Sequence, residues 1–216
     1  MRVATGTQGV FGAARLAVAL EKNTSIQALH LSSNDVRDDG AVKLADALQT
    51  STSLQSLHLQ RNHIGPDGMG RLAGALCGNS TLTLLNLGWN AILDAGARPL
   101  ARAVAANTTL QTLNISGNRI NPYGAERLAG AVATNESMTS LNVAYNNFSA
   151  AGTKAMAEAL SKNKALRSLN LTLNQVGQSG TEHLAKMLKT NNTLRVLNIQ
   201  RTRPRLLRDL YSLRLV

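Results

Sequence analysis

LQTLNISGNRINPYGAERLAGAV, residues 110–132, changes its hydrophobic period once, and that change decides the fold. Its front half ends in Leu113–Asn114–Ile115, the alternation of a short strand. Its back half sets Leu128, Ala129 and Val132 at helical spacing, with Gly124 at the junction, where a side chain would crowd the turn. One strand and one helix in so short a unit leave an apolar face uncovered, so the unit needs neighbours of its own kind.

Those neighbours are present. The first apolar position of the unit recurs as Ile26, Leu54, Leu82, Leu110, Met138, Leu166 and Leu194, every step being 28 residues. Further columns keep the same step: Leu29 to Leu197, Leu31 to Ile199, Asn34 to Asn174, Val36 to Val176 and Gly40 to Gly180. The spacing predicts parallel strands that pair with their counterparts one repeat away while the Leu columns merge into one core. Asn tolerates the backbone angles of a tight bend, and its amide can bond groups left open there. The six Asn from Asn34 to Asn174 therefore read as a scaffold ladder. Asn-x-Thr/Ser closes most helices and turns the chain back, and the five glycosylation sequons at those ends read as by-products of the repeat.

The pattern LxxLxLxxNxI…GxxxLAxAL in units of 28 closely resembles the leucine-rich repeats of the ribonuclease-inhibitor-like class, over roughly residues 12–199. The resemblance implies an α/β fold: a right-handed solenoid, or horseshoe, with parallel strands on the concave face and helices on the convex face. That class includes ribonuclease inhibitors, the Ran GTPase-activating protein and the sensing domains of NOD-like receptors, so one scaffold serves unrelated partners. The expected organisation is a partial N-terminal repeat, mostly helix, over 1–25, six full repeats over 26–193, and a partial seventh repeat with a basic C-terminal cap over 194–216. Leu206, Leu210 and Leu213 share one helical face in that cap. The abrupt, mid-repeat start raises the expectation of a missing cap or of a longer parent chain.

Composition narrows the chemistry. Aromatic residues make up 3% of the 216-residue chain, so aliphatic side chains must fill the core. The net charge of +11 favours acidic partners, and six arginines after residue 194 concentrate it at the C-terminal end. No apolar run is long enough to span a membrane. Cys77, the single cysteine, leaves no internal disulfide and fits a reducing, cytoplasmic setting; late in a helix, it reads as a small apolar filler. Neither a GxxxxGK[ST] loop nor a GxSxG elbow occurs, and no residue is assigned a catalytic role or a cofactor. Gly68, Gly70 and Gly74 miss the dinucleotide spacing.

Two outward columns remain. The position between the strand leucines reads His30, His58, Asn86, Asn114, Asn142, Asn170, Asn198, a polar row able to follow an extended partner. His30, His58, His63 and Asp35 suggest a metal site, but no further ligand completes it and none is assigned. The position just before the ladder Asn reads Ser33, Arg61, Trp89, Gly117, Tyr145, Leu173, Arg201, and Arg, Trp and Tyr are the residues most enriched at binding hot spots. With strands about 4.8 Å apart, Trp89 and Tyr145 are expected to flank a gap over Gly117 that admits a partner side chain, with Arg61 over the indole. The expectation is a non-enzymatic protein–protein interaction module binding an acidic protein rather than a small molecule or nucleic acid. Arg61, Trp89, Tyr145, Leu173, His30, His58, Asn86, Asn114 and Asn142 would make the contacts. The resemblance also admits a GTPase-regulating protein, using residues such as Arg37, Arg119 or Asn147, or the sensor portion of a NOD-like receptor.

Overall fold

The computed structural model describes residues 5–201. The expected capping helix through Leu206, Leu210 and Leu213 lies outside the described residues. Helix and strand alternate along the chain: α1 (Thr5–Lys22), β1 (Ala28–His30), α2 (Arg37–Thr50), β2 (Ser56–His58), α3 (Pro66–Gly78), β3 (Leu84–Asn86) and α4 (Leu93–Ala106). There follow β4 (Thr112–Asn114), α5 (Pro122–Thr134), β5 (Ser140–Asn142), α6 (Ser149–Lys162), β6 (Ser168–Asn170), α7 (Gly177–Leu188) and β7 (Val196–Asn198). The seven described strands form one parallel sheet in sequence order, with Leu29, Leu57, Leu85, Leu113, Leu141, Leu169 and Leu197 in register.

Geometry then sets the curvature. Stacked strands repeat about every 4.8 Å and packed helices every 8–10 Å, so each added unit turns the stack toward its sheet. This is the α/β solenoid that the family resemblance implies, built on the parallel strand pairing predicted by the spacing. The core lies between the two layers, where Leu57, Leu59, Ile64, Leu72 and Leu76 of one unit give way to Leu85, Leu87, Ile92, Leu100 and Val104 of the next. Gly40 to Gly180 sit in the first helical turn against the preceding repeat. A Cβ on Gly152 would stand 2.6 Å from the Ala125 Cβ, and one on Gly96 3.2 Å from the Met69 Cβ.

Two asparagine ladders stitch the units together. In the strand-side ladder, the Asn90 Oδ1 accepts from the backbone N–H groups of Asn62 and Ile64, while its Nδ2 donates to the carbonyls of Leu59 and Leu87. The helix-end asparagines form the other, a role beyond the turn closure expected from the sequence. The Asn107 Oδ1 accepts from the N–H groups of Thr109 and Leu110, and its Nδ2 donates to the carbonyls of Leu76 and Asn79 in the preceding unit. Asn135, Asn163 and Asn191 repeat this arrangement, Asn79 repeats it with the Leu48 carbonyl alone, and all four are buried. The bonds satisfy carbonyls that a helix C-terminus leaves open.

Helix starts alternate in the middle of the array. One column reads Asp38, Pro66, Asp94, Pro122. Each Pro opens its own helix at a position needing no N–H. Each Asp reaches forward one repeat and caps that helix: the Asp94 Oδ1 accepts from the N–H groups of Asn121 at 2.8 Å and Gly124 at 3.1 Å, and Asp38 does the same for Gly65 and Gly68.

Cys77 departs from the sequence reading. It is exposed on the outer surface of α3 rather than packed as an apolar filler, because its column faces away from the sheet.

Candidate functional site: an aromatic ridge on the rim

The strand hydrogen bonding runs on past the strands and fixes the column before the ladder Asn. Arg61 donates its backbone N–H to the carbonyl of Gly88, Trp89 to that of Ser116, Gly117 to that of Ala144 and Tyr145 to that of Thr172. Each of these residues turns the chain out of the sheet in the left-handed backbone region, with φ of +57° at Arg61, +58° at Trp89, +67° at Gly117, +57° at Tyr145 and +57° at Leu173. A side chain in that region costs about 1–2 kcal/mol. Glycine would relieve the cost, yet among these positions only 117 has it, and the others carry large side chains into solvent.

Those side chains assemble. The Trp89 indole lies across Gly117 and meets the Tyr145 ring at 5.0 Å between centroids, tilted by 48°. The expected gap over Gly117 is therefore filled by the indole itself. A Cβ built on Gly117 would stand 2.7 Å from the Trp89 Cδ2. The indole is longer than one strand spacing and bridges two. The Arg61 guanidinium sits 5.9 Å from the indole centroid, at the outer range of a cation–π contact. Trp89 is 47% exposed and Tyr145 46%, so the ridge is an open apolar surface rather than a buried brace. Leu173 continues it, half-buried, on the next repeat.

The concave row beside the ridge is made of histidine and asparagine, with no carboxylate, Lys or Arg in it. Asn86, Asn114, Asn142 and Asn170 each turn the side-chain carbonyl back to accept from the N–H two residues on, at 3.0–3.1 Å. This leaves their amide Nδ2 groups as the outward donors. His30 and His58 stack at 4.2 Å, 15° from parallel. Partial burial, then the neighbouring His30, pushes the His58 imidazole below its ordinary pKa. Among the described residues no three His, Cys, Asp or Glu cluster as a metal would need, and His63 stands by Asp35 rather than joining the stacked pair. Arg37 grips Asp35 through both carboxylate oxygens, at 3.0 and 2.9 Å, and those hydrogen bonds hold the Asp35 carboxyl below the usual carboxylate value. Arg37 is thus engaged within its own loop, and Asn147 donates to Asn121 at 2.9 Å. No described helix is long and apolar enough to cross a membrane.

Comparison with known proteins places this geometry. The C-terminal domain of tropomodulin from Caenorhabditis elegans superposes with a TM-score of 0.59 at 18% identity, covering 71% of this chain and 92% of that one. The leiomodin-1 actin-binding site 2 superposes with a TM-score of 0.51 at 16% identity, covering 83% and 90%. At such identities the likeness is one of fold. Comparison with curated proteins gives no match. The family profile described as Leucine Rich repeat matches six times, at residues 22–45, 50–73, 78–101, 106–129, 134–157 and 162–185, in step with the 28-residue unit. With its parallel strands, convex helices and laddered asparagines, the chain belongs to the leucine-rich repeat family, in its ribonuclease-inhibitor-like class.

Proposed function

We propose that the chain is a non-enzymatic protein-interaction module that seats a partner protein on the Arg61–Trp89–Tyr145 ridge and the adjoining concave row. One observation carries the reading: two large aromatic side chains, half exposed and in mutual contact, stand on backbone that a glycine would adopt at less cost. Such a pair offers rigid apolar area with little side-chain entropy to lose on binding. Arg61 at the end of the ridge suits a carboxylate of the partner, while the outward amides of Asn86, Asn114 and Asn142 suit the carbonyls of an extended segment. The lone exposed Cys77 accords with a reducing, cytoplasmic setting.

The test is affinity capture from a native extract with the wild-type chain and a Trp89→Ala/Tyr145→Ala variant, followed by titration of each captured protein. Purified actin is a defined first probe, since the leiomodin-1 domain of like fold is an actin-binding site. The double variant should weaken binding at least about a hundredfold, as for two hot-spot side chains. Equal capture by both chains would move the binding surface away from the ridge.

A further inference from the structure

On the convex side, α4 and α5 enclose an open groove of about 360 Å³ lined by Arg98, Arg102, Arg127 and Tyr123 over Ala101 and Gly130. Among the described residues none of the three arginines forms an ion pair; the pairs present there are Arg37 and His63 with Asp35, Arg71 with Asp46, and Lys154 with Glu158. The repeat explains why charge gathers at this junction. The column of Arg102 reads Asp46, Gly74, Arg102, Gly130, Glu158, so the cation is flanked by glycines and its acidic counterparts stand two repeats away on either side. Glu126 shares the column of Arg98 but makes no ion pair with it. Gly130 leaves the floor open, since a Cβ there would meet nothing within 4 Å. Arg127 donates to the Tyr123 hydroxyl at 3.2 Å and lies 4.9 Å from the ring centroid, which holds a half-exposed ring at the groove edge.

We propose that this groove binds a phosphate monoester, its phosphoryl oxygens taken by Arg98, Arg102 and Arg127 and its organic group laid on Tyr123. Three guanidiniums lining one groove match a compact group of charge about −1.5 to −2 with three acceptor oxygens better than a singly charged carboxylate. Ala101 and Gly130 let that group approach. The groove lies between two helices and the aromatic ridge on the rim beyond the strands, with no residue in common, so the two readings fail independently.

Phenyl phosphate is the probe, titrated by calorimetry at fixed ionic strength against benzoate, a poly-glutamate peptide and a phosphotyrosine peptide. Expected are saturable one-to-one binding and roughly tenfold weakening by Arg102→Gln or Arg127→Gln, the loss of one charge-assisted hydrogen bond each. Gly130→Leu, which fills the groove without altering charge, should abolish binding, and Arg71→Gln on α3 should leave it unchanged. Tighter binding of the phosphotyrosine peptide than of phenyl phosphate would identify a phosphorylated protein as the source, and equal binding a free monoester. The proposal is overturned if benzoate or poly-glutamate binds as tightly, or if the Arg102→Gln and Gly130→Leu chains, folded by circular dichroism, bind phenyl phosphate like the wild type.

Discussion

Trp89 touches Tyr145 across Gly117 although a whole repeat separates them. The contact depends on the missing Cβ: an alanine at 117 would push it to 2.7 Å from the indole and would hold a side chain at φ +67°. Gly117→Ala should therefore swing the indole outward and cost about 1 kcal/mol of stability. Trp89 is the single tryptophan of the chain, so its fluorescence reports the change without labelling. A red-shifted emission with a small drop in the urea midpoint is expected; an unshifted spectrum would mean that the ridge does not rest on Gly117.

The helix-end ladder makes a larger prediction. Asn107→Ala strips partners from two backbone N–H groups and two carbonyls at a buried position. Leaving buried polar groups unpaired costs about 1–3 kcal/mol each, partly relieved by water, so a loss of about 3 kcal/mol is expected in denaturant unfolding. Asn34→Ala on the strand-side ladder removes one exposed bond to the Ser32 carbonyl and should cost under about 1 kcal/mol. Similar losses for the two variants would refute the role given to the buried ladder.

The Asp–Pro alternation predicts a loss confined to one helix start. Asp94→Ala removes the acceptor for Asn121 and Gly124 at the head of α5, and a lost cap costs about 1 kcal/mol. Hydrogen exchange should speed up at the Gly124 amide, whose partner is gone, while the Gly96 amide keeps its bond to the Ile92 carbonyl and its protection. Uniform loss of protection along the array would point to global destabilisation instead.

The repeat was legible because its columns hardly vary. Leu113, Ile115, Asn118 and Gly124 sit in matching surroundings in the inner units, so a single reading of the local physics holds along the array until its ends, where Asn34 is exposed and Leu197 only partly buried. The helix-end asparagines close the turn as the sequence suggests, but their bonds to the preceding unit were not legible, for a traceable reason. As parts of Asn-x-Thr/Ser they looked like sequons, and the decisive position was Asn163, where Lys164–Ala165 breaks the sequon and the Asn persists. The alternation of Asp38, Pro66, Asp94 and Pro122 has a period of two repeats and is invisible to any comparison of adjacent units. On the ridge, strand spacing correctly placed Trp89 and Tyr145 on one rim. Side-chain reach and direction, which spacing does not carry, turned the expected gap into a contact. Cys77 is exposed because it falls one residue past Leu76, off the core stripe of Leu72 and Leu76, which its residue type does not reveal.

The stacked histidines give a pH dependence whose sign follows from the geometry. Partial burial against the sheet and the neighbouring His30 ring both disfavour the charged form of His58, and its pKa lies below the ordinary imidazole value. The unfolded chain has no such penalty, so as pH falls it takes up this proton before the folded chain does. Stability from the stack is therefore present above the ordinary histidine pKa and is lost as pH falls through that range. Asn is the residue that β3 and β4 carry in this column, so His30→Asn keeps the local pattern of Asn86 and Asn114 while removing the imidazole that faces His58. The variant should raise the His58 pKa, read from its ring-proton shifts by NMR, and should flatten the fall in stability below neutral pH. An unchanged His58 titration in His30→Asn would show that burial alone sets the shift and that the two rings are electrostatically independent.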